Sequence, residues 1–168
     1  MAKNTSLREL ALFGVLGGLI FAVKTAMAPL PNIEPVSLLV MLCAVTFGKK
    51  AAYPVAVYVL LEFALYGPGL WAVSYLYVWF LLAGAAYLLR EMEAPLGWAL
   101  LSGAFGLLFG ALCAPVYLFT GGPAFALAWW ISGIPFDLLH CAGNFALALA
   151  LFRPLRRVLG RLYGRLGR

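Results

Sequence analysis

Long apolar runs dominate the chain, separated by short clusters of Gly, Pro and charged residues. They extend over about 7–27, 36–47, 51–66, 71–89, 96–119 and 135–152. A membrane-crossing helix needs about 20 apolar residues, within a range of about 17–25. The second and third runs are short. As a re-entrant hairpin entering from the outer face they would bury Lys49 and Lys50 near the bilayer centre, at about 2.5–3.5 kcal/mol each. Two short spans shielded by protein are therefore expected, with the turn Phe47-Gly48-Lys49-Lys50 at the cytoplasmic surface. The pattern predicts an all-α integral membrane protein, a single domain over 1–168 built as a bundle of six transmembrane helices and followed by a basic tail over 153–168. No stretch between the runs is long enough to act as a linker.

Composition agrees with this pattern: 65% of residues are hydrophobic and 11% charged, against about 25% charged in soluble domains. The net charge of +6 does not point to nucleic acid, because six of the twelve basic residues lie between Arg153 and Arg168. Lys3, Arg8, Lys49, Lys50, Arg90 and the Arg-rich tail fall at the amino end, in alternate loops and at the carboxyl end. The opposite loops, 28–35, 67–69 and 120–125, contain no Lys or Arg. This asymmetry orients the chain with both termini in the cytoplasm. Lys3, Arg8, the first apolar run and Ala26-Met27-Ala28 resemble a cleavable signal peptide, but Lys24 interrupts the run and Pro29 makes a poor scissile bond, so cleavage is not expected. Cys43, Cys113 and Cys141 are scattered in apolar runs and read as small core residues.

Proline favours the first turn of a helix, and Ser132 or Gly133 can help start one, so the last span is expected to begin near Pro135. Trp129 and Trp130 would then lie in a segment folded over the outer mouth.

Four features carry candidate chemistry. Gly14, Gly18, Ala22 and Ala26 form a four-residue repeat of small side chains, open to close helix contact either within the bundle or with another membrane subunit. A second such repeat is Ser102, Gly106, Gly110 and Ala114. Lys24, Glu62, Asp137 and His140 are ionisable residues inside apolar runs, with Glu34 in the first outer loop. Each must face protein, water or ligand, and Lys24 is available to pair with Glu62 or Asp137. Asp137, His140 and Asn144 follow at i, i+3 and i+7 on one helix face, a stripe that can hold a polar ligand, bind a metal or bond to neighbouring helices. Trp71, Tyr75 and Trp79 repeat every four residues and present three stacked rings, suited to a flat heteroaromatic ligand.

These elements, in this order, resemble the substrate-specific (S) components of energy-coupling factor (ECF) transporters over nearly the whole chain. The residues that carry the resemblance are the small repeat from Gly14 to Ala26 and the loop Pro31-Asn32-Ile33-Glu34-Pro35-Val36, which leads into a second span closing at Phe47-Gly48. Further matches are Tyr66-Gly67-Pro68-Gly69-Leu70-Trp71 and Ile134-Pro135-Phe136-Asp137-Leu138-Leu139-His140 continuing to Asn144. The resemblance implies a prokaryotic plasma-membrane protein that captures a vitamin or related micronutrient from outside. It also implies docking through Gly14, Gly18, Ala22 and Ala26 on a transmembrane coupling protein driven by two cytoplasmic ATPases. The family's repeat is usually alanine, whereas two glycines begin it here. Carried over to matching positions, the ligand site would include Asn32, Glu34, Trp71, Tyr75, Trp129, Trp130, Asp137, His140 and Asn144, to which the ring periodicity adds Trp79. The Pro-Asn loop and the Gly-Pro-Gly-Leu-Trp turn resemble members that take cobalamin or similar large cofactors. No bound metal or cofactor is expected.

The chain lacks a G-x-x-x-x-G-K-[ST] phosphate loop, so it supplies no ATPase of its own. His140-x-x-x-Asn144 resembles one motif of CAAX-processing endopeptidases, and Ile131-Ser132-Gly133 resembles part of the rhomboid-protease motif. The paired glutamates of the first are missing, Trp130 occupies the first Gly position of the second, and His140 is the only histidine. An enzyme is therefore not expected. The remaining alternative is a structural or assembly subunit without ligand.

Overall fold

The computed structural model of the protein describes residues 5–30 and 33–166, all-helical with no strand among them. The helices are α1 (Leu7–Ala26), α2 (Val36–Phe47), α3 (Ala52–Tyr66), α4 (Leu70–Leu88) and α5 (Pro95–Leu166), with a 3-10 turn at Gly48–Ala51 between α2 and α3. Among the described residues four stretches are long and apolar enough to cross a membrane: Leu7–Ala26, Val36–Tyr66, Leu70–Leu88 and Pro95–Arg165. Leucines in mid-helix are as exposed as those at helix ends, Leu60 at 67% and Leu76 at 57% among them. The exterior is therefore apolar as well as the core, the condition of helices made for lipid rather than water.

Local signals explain the boundaries. Ser6 caps α1 in a capping box: its Oγ accepts from the Glu9 N–H at 3.2 Å, and Glu9 Oε2 accepts from the Ser6 N–H at 2.9 Å. Gly48 ends α2 with φ at +60°, a left-handed conformation that glycine adopts without steric cost. α2 has only 12 residues, nine of them buried, including Val36, Val40 and Ala44. At about 1.5 Å per residue it is far shorter than a bilayer core, and its neighbours enclose it.

Side-chain pairs fix the directions. Phe13 stacks on Tyr53 at 5.7 Å, a Cβ at Gly17 would lie 2.5 Å from Val57 Cβ, and Lys24 pairs with Glu62. Numbers rise together, so α1 and α3 run parallel in direct contact, while α2 connects them and packs chiefly against α4 and α5. Tyr66 meets Trp71 and Tyr58 meets Trp79, so α3 and α4 are antiparallel. α5 folds back on itself at Gly122, where φ is +76°. Across that fold, Cβ atoms at Gly110 and Gly106 would lie 2.5 Å from Asp137 Oδ2 and 2.8 Å from the His140 carbonyl. The repeat Ser102, Gly106, Gly110 is thus the seam between the two limbs of α5.

The second limb begins at Pro123, directly after the left-handed Gly122, and not at Pro135 as expected. Both prolines carry the same helix-start signal, and the earlier one follows the glycine that breaks the backbone. Pro135 lies inside the continuing helix. Trp129 and Trp130 are accordingly helical residues of this limb rather than part of a cover. The basic segment expected as a tail from Arg153 onward is also helical, as far as Leu166.

One end of the bundle gathers basic side chains. Lys50 Nζ donates to Glu9 Oε1 and Oε2 at 2.8 and 2.9 Å, and Tyr163 donates to Glu9 Oε1 at 2.7 Å. The Arg156 guanidinium donates to the carbonyls of Met92 and Arg90. The opposite end holds residues 27–30, Glu34, Tyr66, Trp71 and Gly122, and Lys24 is the one basic residue near it among the described residues.

Candidate ligand cavity

At that opposite end a cavity of about 370 Å³ opens between the helix ends. α1 contributes Lys24 and Thr25, and the following loop Met27, Ala28, Leu30 and Glu34. α3 contributes Tyr66, α4 Trp71 and Tyr75, and the two limbs of α5 contribute Phe109 and His140. Every helix except α2 therefore supplies part of the wall. α2 stands behind it as the buried post.

Lys24 is the centre of the arrangement. Its Nζ lies 2.6 Å from Glu62 Oε2, and the Glu62 side chain is fully buried. The ammonium also lies 5.4 Å from the ring centroid of Tyr66, 5.3 Å from that of Trp71 and 5.4 Å from that of Tyr75. Electron-rich ring faces attract a cation at such distances, so one carboxylate and three rings hold the charge. Glu62 Oε1 is left without a hydrogen-bond partner.

Glu34 stands in the loop before α2. Burial pushes its carboxyl from 4.5 up to about 7; the Lys24 charge pulls it down and the Glu62 charge pushes it up. His140, on the opposite wall, is 2% exposed, meets Phe109 edge-on at 4.9 Å and has no partner for Nε2. Among the described residues no three His, Cys, Asp or Glu side chains come together in a metal-ligating group. The chemistry on offer is an ion pair, a carboxyl, an imidazole and ring faces.

Of the residues expected at a ligand site, Glu34, Trp71, Tyr75 and His140 line this cavity. Asn32 lies outside the described residues. Trp79 does not line it: it is fully buried beneath Tyr75, among Tyr58, Phe105 and Phe109. The expected stack of three rings is instead a chain of edge contacts, Trp71 to Tyr75 at 76° and Tyr75 to Trp79 at 80°. Asp137 is buried against the seam, its Oδ1 accepting from the Gly110 N–H at 3.0 Å. Asn144 donates to Ser37 Oγ at 2.9 Å and to the Ser102 carbonyl at 3.3 Å, tying the second limb of α5 to α2 and to the first limb. Trp129 stacks on Tyr117 at 4.0 Å and Trp130 lines a separate shallow depression with Pro115 and Pro123. The polar stripe thus bonds to neighbouring helices at two of its three positions, and His140 alone reaches the cavity.

Lys24, Tyr66 and Phe109 belong to the wall but not to the expected set. Lys24 carried a signal, a charge inside an apolar run, and so did its partner Glu62. Phe109 is one of 12 phenylalanines and carried none.

Of the expected docking repeat, Gly14 and Gly18 have open space where a Cβ would stand, and Ala22 and Ala26 are exposed. The repeat faces outward, while neighbouring Gly17 makes the internal contact with α3. Compared with protein-family models, curated proteins and solved structures, the chain matches none.

Proposed function

We propose that this chain is the substrate-capturing membrane subunit of an ECF-type importer, with six spans, both termini in the cytoplasm and the cavity open to the outside. The observation that carries the reading is the cavity at the end away from the basic residues, built from charged and aromatic side chains that an apolar bundle would otherwise exclude. The breaks at Gly48 and Gly122 support counting Val36–Tyr66 and Pro95–Arg165 as two crossings each. The basic end, with Lys50 and Arg156, fits the cytoplasmic side. Ligand cavities commonly run from about 300 to 1,000 Å³. A volume of about 370 Å³ favours a vitamin-sized molecule of one or two rings over a corrinoid.

The outward repeat of Gly14, Gly18, Ala22 and Ala26 is the proposed docking face for a transmembrane coupling protein, which two ATPases would drive. A hydrolase reading is disfavoured by position: the Ser132 hydroxyl is exposed and donates to the Trp129 carbonyl at 2.7 Å, while His140 is buried in the cavity wall.

Mild-detergent purification from prokaryotic membranes tests both parts. The protein is expected to carry a stoichiometric small molecule and to co-purify with a membrane coupling subunit. Gly18→Leu is expected to lose the subunit and keep the molecule. A bare protein contradicts capture, and partner retention by Gly18→Leu contradicts the docking face.

A further inference from the structure

We infer, building on the capture reading, that the cavity takes flat ring compounds that carry no net negative charge and offer a hydrogen-bond donor, and that it rejects those bearing a carboxylate or phosphate.

Among the described lining residues Lys24 is the one cation. Lys24 is already neutralised by Glu62 Oε2 at 2.6 Å and enclosed by three rings at 5.3–5.4 Å. An anionic ligand reaching for Lys24 would have to draw it from Glu62, stranding a fully buried carboxylate without a counter-charge. It would also approach the Glu34 carboxyl and the negative faces of Trp71 and Tyr75. The stranding of Glu62 and the ring faces both oppose negative charge, and no second cation among the described lining residues offsets them.

A donor meets the reverse situation. Glu62 stands behind Lys24 and outside the lining, so its buried carboxylate keeps the ammonium neutralised and leaves the acceptor role to the wall itself. His140 lines the cavity from α5, and its buried Nε2 has no hydrogen-bond partner. Neutral imidazole has one acceptor nitrogen, so the α5 side of the wall can accept a ligand N–H or O–H. The rings that share the wall with His140 hold a flat body, and a cationic ring is attracted by the same faces that hold Lys24. A buried acceptor left unpaired rejects an analogue that lacks the matching donor more strongly than an apolar pocket rejects a wrong shape.

The test begins with the molecule that wild-type protein carries through purification, released by denaturation and identified by mass spectrometry. A compound neutral or cationic at pH 7, bearing a ring and an N–H or O–H donor, is the expected result. A carboxylate- or phosphate-bearing compound overturns the inference while leaving capture standing. Absence of any molecule overturns capture and the inference together. Rebinding of the released compound to Glu34→Lys, a loop substitution that adds positive charge, is expected to be no tighter than to wild type. Tightening of tenfold or more would show that the cavity prefers anions.

Discussion

Lys24, near the end of α1, places its ammonium 2.6 Å from the buried carboxylate of Glu62 on α3, under a canopy formed by Tyr66, Trp71 and Tyr75. Lys24 lines the cavity with Glu62 behind it, and the pair ties two parallel helices together. Losing one member strands the other. Breaking a buried pair costs about 3–5 kcal/mol, whereas replacing both members by apolar residues of similar volume is often neutral. Glu62→Leu is therefore expected to lower thermal stability strongly, and Lys24→Met with Glu62→Leu to recover most of it. A double-mutant cycle measured by thermal unfolding in detergent checks this; additive losses would show the two residues to be uncoupled.

Glu34 gives the cavity a pH dependence. Its carboxyl is raised from 4.5 to about 7, chiefly by burial. Lys24 faces it from α1, Glu62 and Tyr58 from α3, Tyr75 from α4, and His140 shares the cavity from α5. Because the folded protein holds this proton more tightly than the unfolded chain, the stabilisation is complete below pH 4.5 and is lost as pH rises through about 7. Melting temperature is expected to fall between about pH 5 and 8, with a shallower fall in Glu34→Gln. An identical slope in the variant would assign the dependence to another group.

The two small-residue repeats separate cleanly by what a side chain would strike. At Gly106 a Cβ would stand 2.8 Å from the His140 backbone, whereas at Gly18 nothing lies within 4 Å. Overpacking a close helix contact costs about 1–3 kcal/mol. Gly106→Ala is expected to be destabilising by that amount and to weaken ligand retention by shifting His140, while Gly18→Ala leaves the isolated protein's melting temperature unchanged. Equal melting curves for the two variants would contradict the assignment of the seam.

Glu9 holds the basic end together, accepting from Lys50 of the 3-10 turn and from Tyr163 of α5. Glu9→Ala is expected to loosen the last turns of α5, and trypsin should then cut faster between Arg153 and Arg165. An unchanged cleavage rate would show the clasp to be dispensable.

The sequence announced most helix boundaries through its breakers. Pro35 and Gly48 frame α2, and Gly67-Pro68-Gly69 separates α3 from α4, each a backbone constraint readable one residue at a time. The start of the last limb was harder, since Pro123 and Pro135 send the same signal and only the fold-back at Gly122 distinguishes them.

The cavity was legible by residue type rather than by depth. Charges in apolar runs marked Lys24, Glu62 and His140, because such groups need a reason to be there, but of the three only His140 was expected at the ligand site and Glu62 lies behind the wall. Asp137, His140 and Asn144 share a face but are spread over about 10 Å of helix axis at 1.5 Å per residue. The neighbouring helix decides which of them meets a cavity and which meets Gly110 or Ser37. That register depends on packing between distant segments, as does the burial of Trp79 behind Tyr75, and neither is written in local spacing.

Native mass spectrometry of the detergent-released protein tests the central claim, capture of one small molecule among Lys24, Trp71, Tyr75 and His140. Wild-type protein from prokaryotic membranes is predicted to show a one-to-one adduct that disappears when Trp71 and Tyr75 are both replaced by leucine in a protein that still folds. A bare wild-type protein, or an adduct that survives loss of both rings, would contradict the account.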